Sequence, residues 1–123
     1  MTEDWFVGAV ERVADAGRQA CLAIDTAVSA LREGCEPRSA GRSIVDVVDE
    51  LIVAGGRETR LKAADAFREY ERAIASMRAS VVRALVHEGG LSLTDVAKHM
   101  KISRQAAARL YEPAPERRDQ GPD

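Results

Sequence analysis

Residues 92–112 read SLTDVAKHMKISRQAAARLYE, and they contain two short runs in which apolar residues recur at helical spacing. Each run follows a serine, Ser92 or Ser103, and serine is a preferred capping residue at the start of a helix. The residues expected on the inner faces of the two runs are Val96, Ala97, Met100, Ala107 and Leu110. The pattern therefore predicts two short helices joined by a tight turn at Lys101.

The segment 93–112 resembles the helix-turn-helix superfamily of DNA-binding domains, as found in small bacterial transcriptional regulators. The family has a small residue where its two helices cross, and Ala97 occupies that position. The family's apolar positions are occupied here by Val96, Met100, Ile102, Ala107 and Leu110. The family usually has glycine in the turn, where this chain has Lys101. Because a non-glycine residue at positive φ costs roughly 1 kcal/mol, we expect a slightly strained turn or a different turn geometry.

The resemblance implies a DNA-binding surface on the second helix, which would enter the major groove of double-stranded DNA. Arginine can pair with guanine, glutamine with adenine, and an alanine methyl group can contact thymine. The residues expected toward the bases or their flanking phosphates are Arg104, Gln105, Ala108 and Arg109, and those expected nearer the phosphates are Ser103, Lys98 and Lys101. The alternative is that these side chains form only the solvated face of a small helix, because two-helix patterns also occur in protein-binding modules.

Residues 58–88 are predicted to form the longest helix, which Gly89 and Gly90 end. Its apolar residues follow a heptad-like seam. The seam consists of Phe67, Tyr70, Ile74, Met77, Val81 and Ala84. A helix of about 45 Å is longer than a small monomer can cover, so we expect the seam to combine core packing with dimerisation. All of the seam residues except Ala84 are predicted to take part in dimerisation.

The first half of the chain is predicted to be helical as well. A first helix is expected from Trp5 to about Arg32, because an apolar residue recurs every three or four positions. That stripe consists of Phe6, Ala9, Val13, Ala16, Ala20, Ile24, Ala27 and Leu31. Pro37 marks a loop at 36–41, and Ser43 caps a second helix.

This organisation divides the chain into three regions. Residues 1–56 are expected to form an N-terminal helical region for dimerisation or partner binding, and residues 57–112 the long helix with the helix-turn-helix. Residues 113–123 are expected to be a disordered tail, which leaves no room for a β-hairpin wing. Aromatic residues make up only 4% of the chain. The expected fold class is all-α, a helical bundle with a long central helix and a C-terminal wingless helix-turn-helix.

Charge is distributed unevenly along the chain. The net charge is −2, but residues 1–56 carry −5, residues 57–88 carry +2 and residues 89–123 carry +1. A local basic patch on an otherwise acidic protein is typical of a DNA contact surface. No apolar run has the length of a signal peptide or a membrane span, so we expect a cytoplasmic protein with no membrane partner.

The sequence lacks motifs for catalysis or for cofactor binding. It has no glycine-rich phosphate loop, no His-x-x-x-His pair and no Cys-x-x-Cys motif. His87 and His99 lie on different predicted elements, and Cys21 and Cys35 are expected to be two reduced thiols. We therefore expect no enzyme activity, no metal, no cofactor and no evident small-molecule ligand.

Three functions are consistent with these features. The leading hypothesis is a sequence-specific DNA-binding transcriptional regulator that acts as a homodimer, because a two-fold pair of motifs doubles the DNA interface. The second is an α-helical interaction module that acts on the transcription machinery, which the acidic first half suggests. The third is an architectural DNA-binding protein with little sequence preference.

Overall fold

The computed structural model describes residues 4–112, and within that range the chain is helical and contains no β-strand. The helices are α1 (Trp5–Arg32), α2 (Cys35–Ser39), α3 (Ile44–Val53), α4 (Gly56–His87), α5 (Leu93–Met100) and α6 (Arg104–Tyr111). The predicted all-α class is confirmed. None of these helices is long and apolar enough to cross a membrane. The tail predicted at 113–123 lies outside the described residues.

Side-chain caps set the start of four of the helices. The hydroxyl groups of the three serines and the carboxylate of the aspartate accept hydrogen bonds from backbone amides of the first turn, which a helix otherwise leaves unpaired. The capping residues are Asp4 for α1, Ser43 for α3, Ser92 for α5 and Ser103 for α6. The predicted serine caps are therefore confirmed.

The loop predicted at 36–41 is wrong over its first part, because Cys35–Ser39 forms the short helix α2. Pro37 is the third residue of this helix. Its missing N–H is one of the four amides that a helix start leaves unpaired in any case, so proline is tolerated there. Cys35 is the first residue of this helix.

The chain divides into two compact units, and the division falls after Ile74, inside α4. We call residues 1–74 the first unit and residues 75–123 the second unit. This division follows the contacts within the chain and does not test the functional regions predicted at 1–56 and 57–112, which stay predictions.

The first unit buries mainly small side chains. Its buried apolar residues in the described range are Ala9, Ala20, Val47 and Ala63. The stripe predicted on α1 is therefore covered only in part, since Phe6, Ile24 and Leu31 are 46%, 41% and 65% exposed. The covered positions of α1 are occupied by alanines, which let another helix approach closely but remove little apolar surface from water.

A close approach at Gly34 connects the end of α1 to α3. A β-carbon at Gly34 would lie 3.0 Å from Cγ1 of Val47 and 3.2 Å from Cδ1 of Leu51, so only glycine fits without displacement. Arg42 Nη2 donates to Glu50 Oε2 at 2.5 Å. This hydrogen bond, together with the carboxylate charge, raises the pKa of the Arg42 guanidinium.

The second unit has a core of fully buried side chains. Val82, Val96 and Ala107 have no exposed surface, and Ala97 is 6% exposed. The partly buried residues around them are Leu85, Val86, Leu91, Leu93, Met100, Ile102, Leu110 and Tyr111. This core holds α5 and α6 against the last turns of α4.

The face that α4 presents to this core differs from the predicted seam. The seam predicts Val81 and Ala84 on the inner side, but Val82 is the fully buried residue, and Val81 and Ala84 are only half-buried. Leu85 and Val86 follow Val82 at the spacing of one helical face, so the apolar stripe shifts by one residue after Met77. A strict heptad cannot follow a straight helix, because its period of 3.5 residues drifts against the helical 3.6.

Candidate nucleic-acid interface

The turn between α5 and α6 has the hydrogen bonds of a Schellman motif. Lys101 adopts φ 59° and ψ 47°, which is the left-handed region, and no other non-glycine residue within 4–112 has positive φ. Ile102 N–H donates to Ala97 O at 3.0 Å, and Lys101 N–H donates to Lys98 O at 3.4 Å. These are the two bonds that close a helix in this motif. The tight turn predicted at Lys101 is confirmed, and it carries the strain expected of lysine.

Small residues bring α5 and α6 together. Ala97 on α5 and Ala107 on α6 are both buried, and Val96 completes the contact. The other predicted inner residues, Met100, Ile102 and Leu110, are partly buried against this core. Every inward position of the family pattern is therefore covered or half-covered.

The predicted DNA-binding residues lie on the outer side of the same helices. Those that are exposed are Lys98, Lys101, Ser103, Arg104, Gln105 and Arg109. Ala108 is half-buried, so only part of its methyl surface is available for contact with a base. The hydroxyl of Ser103 accepts from Ala106 N–H at 2.9 Å as the cap of α6.

Positive charge dominates this outer surface. Between residues 93 and 111 the only acidic residue is Asp95, against the cations Lys98, Lys101, Arg104 and Arg109. In the described range none of these four cations forms an ion pair, whereas arginines on α1 and α4 pair with neighbouring acids. Within the described residues, the positive charge of this surface is therefore not neutralised by ion pairs.

Arg104 has one contact that sequence reasoning did not identify. Its Nε donates to Thr94 Oγ1 at 3.3 Å, which connects the start of α6 to the start of α5. Both side chains are exposed, so the bond contributes little stability. Only the tertiary packing reveals this pair, because the two residues lie ten positions apart on separate helices.

His87 and Tyr111 form a side-chain contact within the second unit. Tyr111 Oη lies 3.3 Å from His87 Nε2, and the two rings pack with their centroids 5.7 Å apart. The pair joins the end of α4 to the end of α6. Helical periodicity does not predict a partner for Tyr111, because the two residues lie 24 positions apart on separate helices.

The predicted dimerisation residues are not gathered into one buried cluster. Phe67 is exposed, whereas Tyr70, Ile74, Met77 and Val81 are half-buried. The rings of Phe67 and Tyr70 lie 6.3 Å apart on α4. Dimerisation through this seam stays a prediction.

Candidate metal ligands are not grouped in the part of the chain that the structure describes. No three His, Cys, Asp or Glu side chains there lie close enough to hold a metal ion. Cys21 and Cys35 are both free and exposed thiols.

Comparison of the chain with protein-family models, with curated proteins and with solved structures found no match. The functional assignment therefore rests on the α5–α6 surface itself.

Proposed function

We propose that this protein is a DNA-binding transcriptional regulator, in which α5 and α6 form a helix-turn-helix and α6 enters the major groove. The observation that carries the proposal is the two-sidedness of α6. Its inner side is packed through Ala107 and Leu110, and its outer side carries Arg104, Gln105 and Arg109 in exposed positions. Arginine and glutamine are the residues that read guanine and adenine edges in that groove.

The remaining cations are assigned to the DNA backbone. Lys98 and Lys101 lie at the end of α5 and in the turn, and a lysine in this region can contact a phosphate as a point charge. A phosphate contact would offset the left-handed strain at Lys101 by adding an attraction that glycine lacks. Ser103 is also assigned to the residues that lie near the phosphates. Its hydroxyl accepts a hydrogen bond as the cap of α6.

The proposal includes a homodimer, because one small motif makes few base contacts and a two-fold pair doubles them. The half-sites of the DNA would then be related by the same two-fold symmetry. The absence of a wing stays an expectation, since residues 113–123 lie outside the described range.

The direct test is a double substitution on the outer side of α6, with a matched control elsewhere. We expect Arg104→Ala combined with Arg109→Ala to abolish the retardation of duplex DNA in gels, with helicity unchanged. Arg68→Ala combined with Arg72→Ala removes the same charge from exposed positions of α4 that pair with Asp65 and Glu69. The control should keep DNA binding. Unaltered binding by the α6 variant would show that the reading surface is assigned wrongly.

Salt dependence separates DNA binding from the interaction module. With Lys98 and Lys101 of one copy on phosphates, log K should fall against log salt with a slope of about −1.8 for each copy. An affinity for duplex DNA that does not change with salt would favour a protein partner. Selection of bound sequences from a random duplex pool then distinguishes a regulator, which yields a two-fold symmetric consensus, from an architectural protein, which yields none.

A further inference from the structure

α1 carries a second apolar stripe, which shares Ile24 and Leu31 with the one predicted from the sequence. Its members follow each other at alternating spacings of three and four residues, and we call them the α1 seam. They are Val7, Val10, Ala14, Gly17, Cys21, Ile24, Val28 and Leu31. The larger members are only partly covered, with exposed fractions of 48% for Val7, 37% for Val10, 41% for Ile24, 38% for Val28 and 65% for Leu31.

The α1 seam has the pattern of a coiled coil. It runs for about three and a half heptads, or roughly 36 Å of helix, which is long enough for a stable pair of helices. The heptad position that directly follows Val10, Gly17, Ile24 and Leu31 is charged in every repeat. Those edge residues are Glu11, Arg18, Asp25 and Arg32. Charged edge positions flanking an apolar seam are typical of a helix that pairs with another helix.

The first unit needs such a partner to bury its larger side chains. Within the described residues its buried apolar side chains are three alanines and Val47. Burial of a valine, isoleucine or leucine is worth about 1.5–3 kcal/mol, and these residue types lie outside on α1. The apolar area that would stabilise this unit is therefore still available at the α1 seam.

A groove opens at the centre of the α1 seam, inside the first unit. Its volume is about 620 Å³. The lining is almost wholly apolar, and Arg18 is its one charged residue. The other lining residues are Gly17, Ala20, Cys21, Leu22, Ile24, Phe67 and Tyr70. The Tyr70 ring borders the groove and lies 3.5 Å from where a Gly17 β-carbon would be, which is an ordinary van der Waals distance.

The order of residue sizes along the α1 seam favours an antiparallel α1 helix of a second copy as its partner. In an antiparallel pair of α1 helices, small residues meet larger ones: Gly17 faces the partner's Cys21, and Ala14 faces the partner's Ile24. The outer layers pair Val10 with the partner's Val28 and Val7 with the partner's Leu31. A parallel pair would instead stack glycine on glycine and alanine on alanine, which leaves an unfilled space next to the groove.

We propose that a second copy of this chain docks antiparallel on the α1 seam, with the two-fold axis between Gly17 and Cys21. The surface is self-complementary, as an isologous dimer requires. The proposal places the dimer contact of the first unit on α1, with Phe67 of α4 at the edge of the groove. It deepens the homodimer of the proposed function by placing its contact on α1, and it does not depend on whether α6 binds DNA.

The mass of the full chain in solution tests the proposal. We expect a particle of twice 13.3 kDa in sedimentation equilibrium, and a particle of single mass for Val28→Asp at the same concentration. The matched control is Val53→Asp, which adds the same charge at a position of α3 that is 88% exposed. The control should remain dimeric. A wild-type chain of single mass, or dissociation by both substitutions, would overturn the proposal.

Disulfide cross-linking tests the direction of the helices and stays informative if Val28→Asp fails to fold. In a chain with Cys21→Ser and Cys35→Ser, Val10→Cys and Val28→Cys together should give a covalent dimer on oxidation, since antiparallel pairing brings these positions face to face. Val10→Cys alone should not. Efficient cross-linking by Val10→Cys alone would mean a parallel pair. If neither the double nor the single cysteine variant cross-links, the groove has another occupant. Both outcomes contradict the proposal, and neither bears on DNA binding.

Discussion

Lys101 shows how one residue can serve two opposed requirements. The hydrogen bonds from Ile102 and Lys101 close α5 only if residue 101 adopts the left-handed conformation, which a β-carbon disfavours. A lysine side chain instead supplies a cation at the surface assigned to DNA. The same residue therefore strains the turn and, under the proposed function, supplies a cation for a DNA phosphate.

Lys101→Gly should raise the free energy of unfolding by about 1 kcal/mol, because glycine adopts the left-handed conformation without strain. Denaturant titration followed by circular dichroism measures the change. Lys101→Ala is the control, since it removes the charge and keeps the β-carbon, so its stability should stay close to that of the wild type. Both variants should bind DNA more weakly at low salt. A destabilised Lys101→Gly would contradict the strained turn.

At the scale of helices, the contact between α5 and α6 depends on the size of the residues at the crossing. Ala97 and Ala107 are buried, so a larger side chain at either position would have to displace its neighbours. The distance between the two helices sets where the outer side of α6 lies relative to Lys98 and Lys101. Packing at the crossing therefore determines the geometry of the proposed DNA surface.

Ala107→Leu should destabilise the protein by about 1–3 kcal/mol, because the added carbons have no space in the core of the second unit. Gln105→Leu introduces the same side chain on the exposed side of α6, and it should leave the free energy of unfolding nearly unchanged while weakening DNA binding. Chemical denaturation and gel retardation of both variants give the comparison. Equal stability of the two variants would mean that α6 is packed by a different side.

The side of α4 that faces the second unit gives another prediction. Val82→Ala should lower the free energy of unfolding by about 2 kcal/mol, since Val82 is fully buried. Val81→Ala removes the same atoms from a half-buried neighbour, and its effect should be clearly smaller. Urea titration of the two variants measures the difference. A larger loss of stability for Val81→Ala would mean that the predicted heptad seam, and not the face of Val82, packs in the core.

At the scale of the molecule, the two units differ in how much they bury. The second unit contains the fully buried Val82 and Val96, whereas the buried side chains of the first unit are mostly alanines. Hydrophobic stabilisation grows with the apolar area removed from water. Burial within its own chain therefore stabilises the first unit less than the second unit. The proposed pairing of two copies through α1 would supply the missing burial.

Thermal stability should therefore depend on protein concentration. A tenfold increase should raise the Tm of the wild type by roughly 3 °C, because a dimer is stabilised by mass action. Circular dichroism melts at two concentrations measure the shift. Val28→Asp should melt at a Tm that does not change with concentration, whereas Val53→Asp should follow the wild type. A wild-type Tm without concentration dependence would count against a dimer that stabilises the fold.

Local chemistry explains what could be predicted from the sequence alone. The caps at Ser43, Ser92 and Ser103, and the turn at Lys101, were predictable because each depends on hydrogen bonds within a few residues. The short helix at Pro37 was missed, because proline favours a loop and the first turn of a helix alike. The outward position of Arg104 and Arg109 followed from the helical period and the inward residues between them.

The sequence by itself therefore determined where the main helices begin and end, how α5 turns into α6, and which residues form the charged side of α6. Only the tertiary structure decided which apolar residues of α1 are covered, which valine of α4 enters the core, and that His87 meets Tyr111. The physical reason is the range of the interactions. Caps and turns are set by neighbours along the chain, whereas burial depends on residues far away in the sequence, which periodicity cannot identify.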